Sequence, residues 1–132
     1  MNLISIIIPV YNHLPELKKA LHSIKQQTYK DFEVIVVDDG SDEPVEEKIN
    51  KNDFGFDLVF LREENRGAPF ARNKGFEVSK GEFVIFWDAD VIAAPEMLAK
   101  MRNVLTIHPE ASYAYADFYY GKKAMRAQKF DA

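Results

Sequence analysis

The stretch Glu33-Val34-Ile35-Val36-Val37-Asp38-Asp39-Gly40-Ser41-Asp42 decides the fold. Its first half is a β-branched run that favours a strand, and its second half is a cluster of turn formers that stops the strand abruptly. An apolar run without polar alternation implies burial on both faces, as in the middle of a parallel sheet. Upstream, Leu3 to Val10 is a second such run, rich in isoleucine and bounded by Pro9 and Asn12. Between the two, Leu17, Ala20, Leu21 and Ile24 recur at helical spacing across Pro15 to about Gln27, with Pro15 suited to a first turn. Strand, helix and strand make one βαβ unit.

The alternation continues downstream. Glu43 to Asn50 predicts a short, weak helix, Asn52 to Gly55 a turn, and Asp57-Leu58-Val59-Phe60-Leu61 a third strand. Ala68 to Ser79 has helical spacing at Phe70, Ala71, Lys74 and Val78, and Lys80-Gly81 closes it in the manner of a glycine C-cap. Glu82 to Trp87 predicts the fourth strand. Pro95 opens a helix with Leu98, Met101, Val104 and Leu105 inward, ending before His108-Pro109, and Tyr113 to Phe118 predicts a last strand. There is no internal repeat and no low-complexity linker.

This order implies an α/β protein: one domain over residues 1–132, with a mostly parallel sheet and helices on both faces. Such sheets bind ligands beyond the carboxyl ends of their strands, where strand order reverses. The first, second and fourth strands end in Tyr11-Asn12, Asp38-Asp39-Gly40 and Asp88-Ala89-Asp90. If these strands are neighbours, the clusters face one cleft.

Composition narrows the function classes. A net charge of -4 argues against a nonspecific nucleic-acid binder, which needs a basic surface to release phosphate counterions. Without cysteine there is no disulfide framework or thiolate zinc site, which fits a reducing, cytoplasmic setting. Leu3 to Val10 is too short to span a bilayer and has no basic leader, so neither a signal peptide nor a transmembrane helix is expected. His13, His22 and His108 are too scattered for a zinc site. The basic tail Lys122-Lys123-Ala124-Met125-Arg126 reads first as a solvated segment, with contact to an anionic membrane surface as the alternative.

Each cluster has a structural and a chemical reading. Asp88 and Asp90 lie one residue apart, a spacing that puts both side chains on one face in an extended chain. Two hard oxygen donors suit Mg²⁺ or Mn²⁺, which commonly bridge carboxylates to substrate phosphates; a solvated turn is the structural alternative. Asp38 to Ser41 reads as a turn with a helix cap, and Asp39 also as a carboxylate able to accept the imide N–H of a pyrimidine. Arg66 and Arg72 flank a glycine-containing helix entry, where backbone N–H groups and guanidinium forks suit a diphosphate; as exposed arginines they need be no more than solvated.

Taken in order, the segments resemble the family 2 inverting glycosyltransferases, which have the GT-A fold. The matching stretches are Ile6 to Asn12, Ser23 to Thr28 with Phe32-Glu33, and Val36 to Ser41. Asn65-Arg66-Gly67, Ala71 to Gly75, Gly81-Glu82-Phe83 and Asp88-Ala89-Asp90 follow. The resemblance runs from Ile4 to about Pro109. It implies a nucleotide-sugar-binding half in which Pro9 to Tyr11 line the nucleobase pocket and Asp39 contacts the base. By the same resemblance Arg66 or Arg72 lies near the diphosphate, Asp90 holds the divalent metal, and Asp88 contacts the ribose or assists with the metal.

In the family, inversion needs a carboxylate base well beyond the Asp-X-Asp strand, which places it past Ala132 and outside a truncated donor half. Asp117 is the weaker candidate within the chain. The resemblance implies a nucleoside-diphosphate sugar as partner, with UDP favoured, and an acceptor that is a polysaccharide, a lipid-linked sugar or a protein. Tyr119, Tyr120 and Phe130 either pack on further structure or form an apolar patch that drives self-association. Two other functions compete. A sugar-nucleotide nucleotidyltransferase is disfavoured because Tyr11-Asn12-His13-Leu14-Pro15 lacks the glycines that would hold a triphosphate. A noncatalytic nucleotide-binding or self-associating module is the non-enzyme reading.

Overall fold

The structure is a computed structural model. It describes residues 2–114 and the strands Phe118–Tyr120 and Lys123–Met125. Asp117, Phe130 and the side chains of Tyr119 and Tyr120 lie outside the described residues.

Four parallel strands form the main sheet: β1 (Ile4–Val10), β2 (Phe32–Asp38), β3 (Asp57–Arg62) and β4 (Phe83–Phe86), in the order β3-β2-β1-β4. The two isoleucine- and valine-rich runs are the inner strands, and every residue of β2 is buried. Helix α1 (Leu14–Lys25) links β1 to β2, and α2 (Ala68–Val78) links β3 to β4. These two connections advance across the sheet in opposite directions. Right-handed crossovers therefore put their helices on opposite faces.

Packing follows that rule. Ile4, Ile6 and Ile8 of β1, with Val34 and Val36 of β2, form a core with Leu17, Leu21 and Ile24 of α1 and with Trp87 and Leu98. The alternate residues Ile7, Ile35 and Val37 pack on the opposite face against Ala71 of α2. Parallel register puts paired residues on one face, as in Ile6 opposite Val34 and Ile7 opposite Ile35. Helix α2 comes close to the sheet because Gly75 has no side chain: a Cβ there would stand 2.5 Å from Cγ2 of Ile7.

A buried polar clamp fixes the base of β4. Glu33 is 4% exposed, and its Oε2 accepts the Ser5 hydroxyl at 2.5 Å and the Lys80 backbone N–H at 2.7 Å. The Gly81 N–H donates to Ser5 Oγ at 2.8 Å. A buried carboxylate is tolerable only with such partners. Gly81 is therefore required for close approach, since a Cβ would lie 2.6 Å from Ser5 Oγ. The expected glycine C-cap is corrected: the residue closing α2 is Ser79, in an extended conformation.

Other boundaries also shift. The expected helix at Glu43 to Asn50 is a 3₁₀ turn at Val45–Lys48, and a second spans Lys51–Asp53. Helix α3 (Met97–Ile107) begins two residues after Pro95, in a turn, and Val104 is 45% exposed where burial was expected. Only Leu98 of α3 is buried. On α2 the inward residues are Ala71 and Gly75, while Phe70 and Val78 are exposed. The expected last strand at Tyr113 to Phe118 is displaced: Tyr113 and Ala114 lie outside any strand, and β5 (Phe118–Tyr120) pairs antiparallel with β6 (Lys123–Met125).

Candidate functional site

Strand order reverses at β1, which has β2 on one side and β4 on the other. A cavity of about 340 Å³ opens there, beyond the carboxyl ends of these strands, within the size range of small-molecule sites. Pro9, Val10, Tyr11 and His13 line it from β1 and the connection to α1. Asp39 enters from the end of β2, Ala68 and Arg72 from α2, and Asp88, Ala89 and Asp90 from the end of β4. A larger groove of about 500 Å³ lies between β4 and α3, with mainly apolar walls such as Phe83, Ile85, Leu98 and Leu105, and none of the expected site residues. Its chemistry suits packing rather than ion or phosphate binding.

The two adjacent aspartates of β2 face different tasks. Asp38 is buried, and its Oδ1 accepts the Ser41 N–H at 2.9 Å. Its Oδ2 accepts the Val45 N–H at 3.0 Å and Nη1 of Arg62 at 2.7 Å. Burial alone would push this carboxyl up, but the hydrogen bonds from Ser41, Val45 and Arg62 outweigh it and hold Asp38 below the usual carboxylate range. Asp38 is thus the tie between the ends of β2 and β3.

Asp39 turns the other way. Its Oδ1 accepts the Arg66 backbone N–H at 2.9 Å and its Oδ2 the Gly67 N–H at 2.9 Å. The carboxylate therefore secures the entry to α2, whose N-cap Gly67 sits at φ 98°. Gly40 allows this approach: it has φ 81°, and a Cβ there would lie 2.7 Å from the Asn65 backbone nitrogen. Each Asp39 oxygen keeps a further lone-pair direction, so the clamp does not exhaust its capacity as an acceptor.

At β4, Trp87 and Ala89 are buried while Asp88 and Asp90 are exposed, so both carboxylates project away from the core. The backbone turns here: the Asp88 carbonyl accepts the Val91 N–H at 3.0 Å, and Nε1 of Trp87 donates to the Val91 carbonyl at 2.9 Å. Nη2 of Arg72 stands 3.4 Å from Oδ1 of Asp88, and both side chains are well exposed. Such a pair contributes little to stability, about 0–1 kcal/mol. It does bring a guanidinium to the aspartates.

Among the described residues no group of three or more His, Cys, Asp or Glu side chains is placed to hold a metal ion alone. Asp88 and Asp90 nevertheless offer the hard oxygen donors that Mg²⁺ or Mn²⁺ takes, and these ions commonly complete their shells with water and substrate phosphates. The donor set fits such an ion.

Of the residues singled out in the sequence, the cavity brings together Pro9, Tyr11, Asp39, Arg72, Asp88 and Asp90. It does not include Arg66, which is exposed and meets the site through its backbone N–H on Asp39. His13, considered in the sequence only as a zinc ligand, lines the cavity, with Nδ1 3.7 Å from Oε2 of Glu16. Its position two residues after Tyr11 at a strand end was the available signal.

Comparison with known proteins gives a consistent picture. An uncharacterized glycosyltransferase of Haemophilus influenzae is 38% identical over 114 residues, covering 86% of this chain and 38% of the relative. Glycosyltransferase AglE of Haloferax volcanii is 31% identical over 136 residues, covering 98% of this chain and 44% of the relative. Among solved structures, S. aureus TarS 1-349 in complex with UDP-GlcNAc superposes with a TM-score of 0.74 at 31% identity, covering 83% of this chain and 32% of the TarS 1-349 chain. Mannosyltransferase PcManGT from Pyrobaculum calidifontis, in complex with GDP-Man and Mn²⁺, gives 0.70 at 30% identity, covering 77% and 32%. The chain spans less than half the length of each of these proteins. The sequence model of glycosyl transferase family 2 matches residues 5–129, and with the parallel α/β sheet this places the chain in that family, with the GT-A fold.

Proposed function

We propose that the chain is the donor-binding part of an inverting glycosyltransferase, holding a nucleoside-diphosphate sugar with a divalent cation for transfer to an acceptor hydroxyl. The observation that carries this reading is the convergence of Tyr11, Asp39, Arg72, Asp88 and Asp90, from three strand ends and one helix, on a single cavity. The complexes of the similar TarS with UDP-GlcNAc and of PcManGT with GDP-Man and Mn²⁺ support it.

Roles follow from position. Pro9 and Tyr11 form the wall suited to a flat base, and Asp39 presents acceptor capacity to a ring N–H of that base; UDP is favoured on the likeness to TarS, whose complex holds UDP-GlcNAc. Arg72 and the amino end of α2 carry positive charge toward the cavity, where a diphosphate would sit. Asp90, assisted by Asp88, would hold Mg²⁺ or Mn²⁺. A bound cation supplies Lewis-acid stabilisation of the negative charge that gathers on the departing diphosphate. Arg72 adds charge-assisted hydrogen bonds on the same oxygens. The acceptor hydroxyl needs a carboxylate base on the opposite side of the sugar, and we assign that role to no described residue. Acceptors of the polysaccharide, lipid-linked or protein class suit this chemistry equally.

Titration calorimetry tests the reading. UDP should bind the chain in the presence of Mn²⁺ and lose about tenfold or more of its affinity in EDTA, a change of at least about 1.4 kcal/mol. Equal binding in both conditions would remove the metal from the account, and no binding in either would remove the nucleotide. Among the described residues no helix is long and apolar enough to cross a membrane.

A further inference from the structure

Asn12 holds the one positive φ among the described non-glycine residues, at 56°. That left-handed conformation is unfavourable for most L-residues, and asparagine tolerates it better than others. It reverses the chain immediately after Tyr11. Two hydrogen bonds then stitch this turn to the loop after β2. The Asn12 backbone N–H donates to Oγ of Ser41 at 2.9 Å, and Oδ1 of Asn12 accepts the Asp42 N–H at 2.8 Å. Each loop thus satisfies a backbone donor of one with a side chain of the other.

The stitch is anchored deeply. Ser41 is 2% exposed and its N–H is held by Asp38. Arg62 closes the network from β3, donating to Asp38 and, through Nη2, to the Ser41 carbonyl at 2.8 Å. A second tie, from the Asp39 N–H to the Val10 carbonyl at 2.8 Å, runs beside it. Tyr11 sits between these two ties, on the cavity wall and 42% exposed. More than a third of the residue is open to solvent. Its backbone is fixed by the residues on either side.

We infer that Asn12, with Ser41 as its buried partner, is a positioning residue that holds Tyr11 as the wall against which the nucleoside half of the ligand is recognised. This rests on the proposed nucleotide site and adds to it a division of labour. The β1–β2 loop stitch serves the nucleoside, and the β4 aspartates with Arg72 serve the metal–diphosphate half. Loss of the stitch therefore weakens only the contacts on Tyr11's side of the cavity.

The test compares two ligands by calorimetry in Mn²⁺, UDP and inorganic pyrophosphate, on the parent, Asn12→Ala, Asn12→Gly, Asn12→Asp and Ser41→Ala. Asn12→Ala should lose about tenfold in UDP affinity, about 1.4 kcal/mol, with pyrophosphate binding unchanged. Asn12→Gly keeps the backbone conformation but not the acceptor, and should fall between. Asn12→Asp keeps both and should restore parental UDP affinity. Thermal melts check folding; should Asn12→Ala unfold, Asn12→Gly and Ser41→Ala give the same reading. Equal loss for both ligands, or no loss for either, overturns the positioning role while leaving the site intact. A parent chain that binds pyrophosphate–Mn²⁺ but not UDP overturns this proposal through its nucleoside half. A parent that binds neither overturns the site reading and this proposal with it.

Discussion

Replacing Asp39 with asparagine isolates the clamp at the entry to α2. In the native chain one carboxylate oxygen accepts from Arg66 N–H and the other from Gly67 N–H, both at 2.9 Å. Asparagine keeps a single acceptor and sets its amide –NH₂ against the other backbone donor. One hydrogen bond to a charged group, about 1.5–3 kcal/mol, is lost, and the N–H of Arg66 or of half-buried Gly67 is left facing the amide without its acceptor. Asp39 is 5% exposed, so water repairs this only in part. The expected cost is about 2–4 kcal/mol, well short of abolishing a typical domain stability of about 5–15 kcal/mol. Urea denaturation should show the midpoint falling at constant m-value, and hydrogen exchange should accelerate at the Arg66 and Gly67 amides before others. A variant within about 0.5 kcal/mol of the parent, with those two amides as protected as before, would refute the clamp.

Further outcomes follow from the same geometry. Asp38 has a folded pKa below its ordinary value, so its stabilisation is present above that value and is lost as pH falls through the folded pKa. Parent stability should therefore drop below about pH 4, and Asp38→Asn, though less stable at neutral pH, should show a shallower acid limb in urea midpoints. Gly75→Ala gains about 1 kcal/mol in helix propensity but meets buried Ile7 at 2.5 Å, and overpacking of about 1–3 kcal/mol should make the variant less stable by calorimetric melting. Arg72→Ala should weaken UDP–Mn²⁺ binding by about tenfold while leaving uridine binding unchanged, read by calorimetry.

The inner strands were legible because burial on both faces leaves a continuous apolar run, and the residues of α1 expected inward, Leu17, Ala20, Leu21 and Ile24, are all buried. The convergence of three strand ends was legible once the strands were taken as neighbours, since topology then forces their tips together. The division of labour between Asp38 and Asp39 was not. Two identical side chains in sequence carry no sign of which one turns toward Arg62 and which toward the Gly67 amide. Arg66 and Arg72 were equally hidden: Arg72 lines the cavity from within α2, whereas Arg66 stands ahead of the Gly67 N-cap with its side chain exposed. Spacing also mistook the role of Gly81, which answers to a contact with Ser5 some 76 residues away in sequence. Periodicity overstated the inward face of α3, where Leu98 alone is buried and the neighbouring groove stays open on β4.

The central claim is that Asp90 and Asp88 hold a cation on the diphosphate of a nucleotide whose base lies against Tyr11. A crystal structure of the chain grown with UDP and Mn²⁺, with the metal located by its anomalous signal, tests it directly. The account predicts Mn²⁺ at coordination distance, about 2.0–2.3 Å, from an Asp90 oxygen and from diphosphate oxygens. Uracil should stack along Tyr11 within reach of Asp39. Metal and nucleotide bound elsewhere, or nucleotide in the cavity with no cation at Asp90, would contradict it.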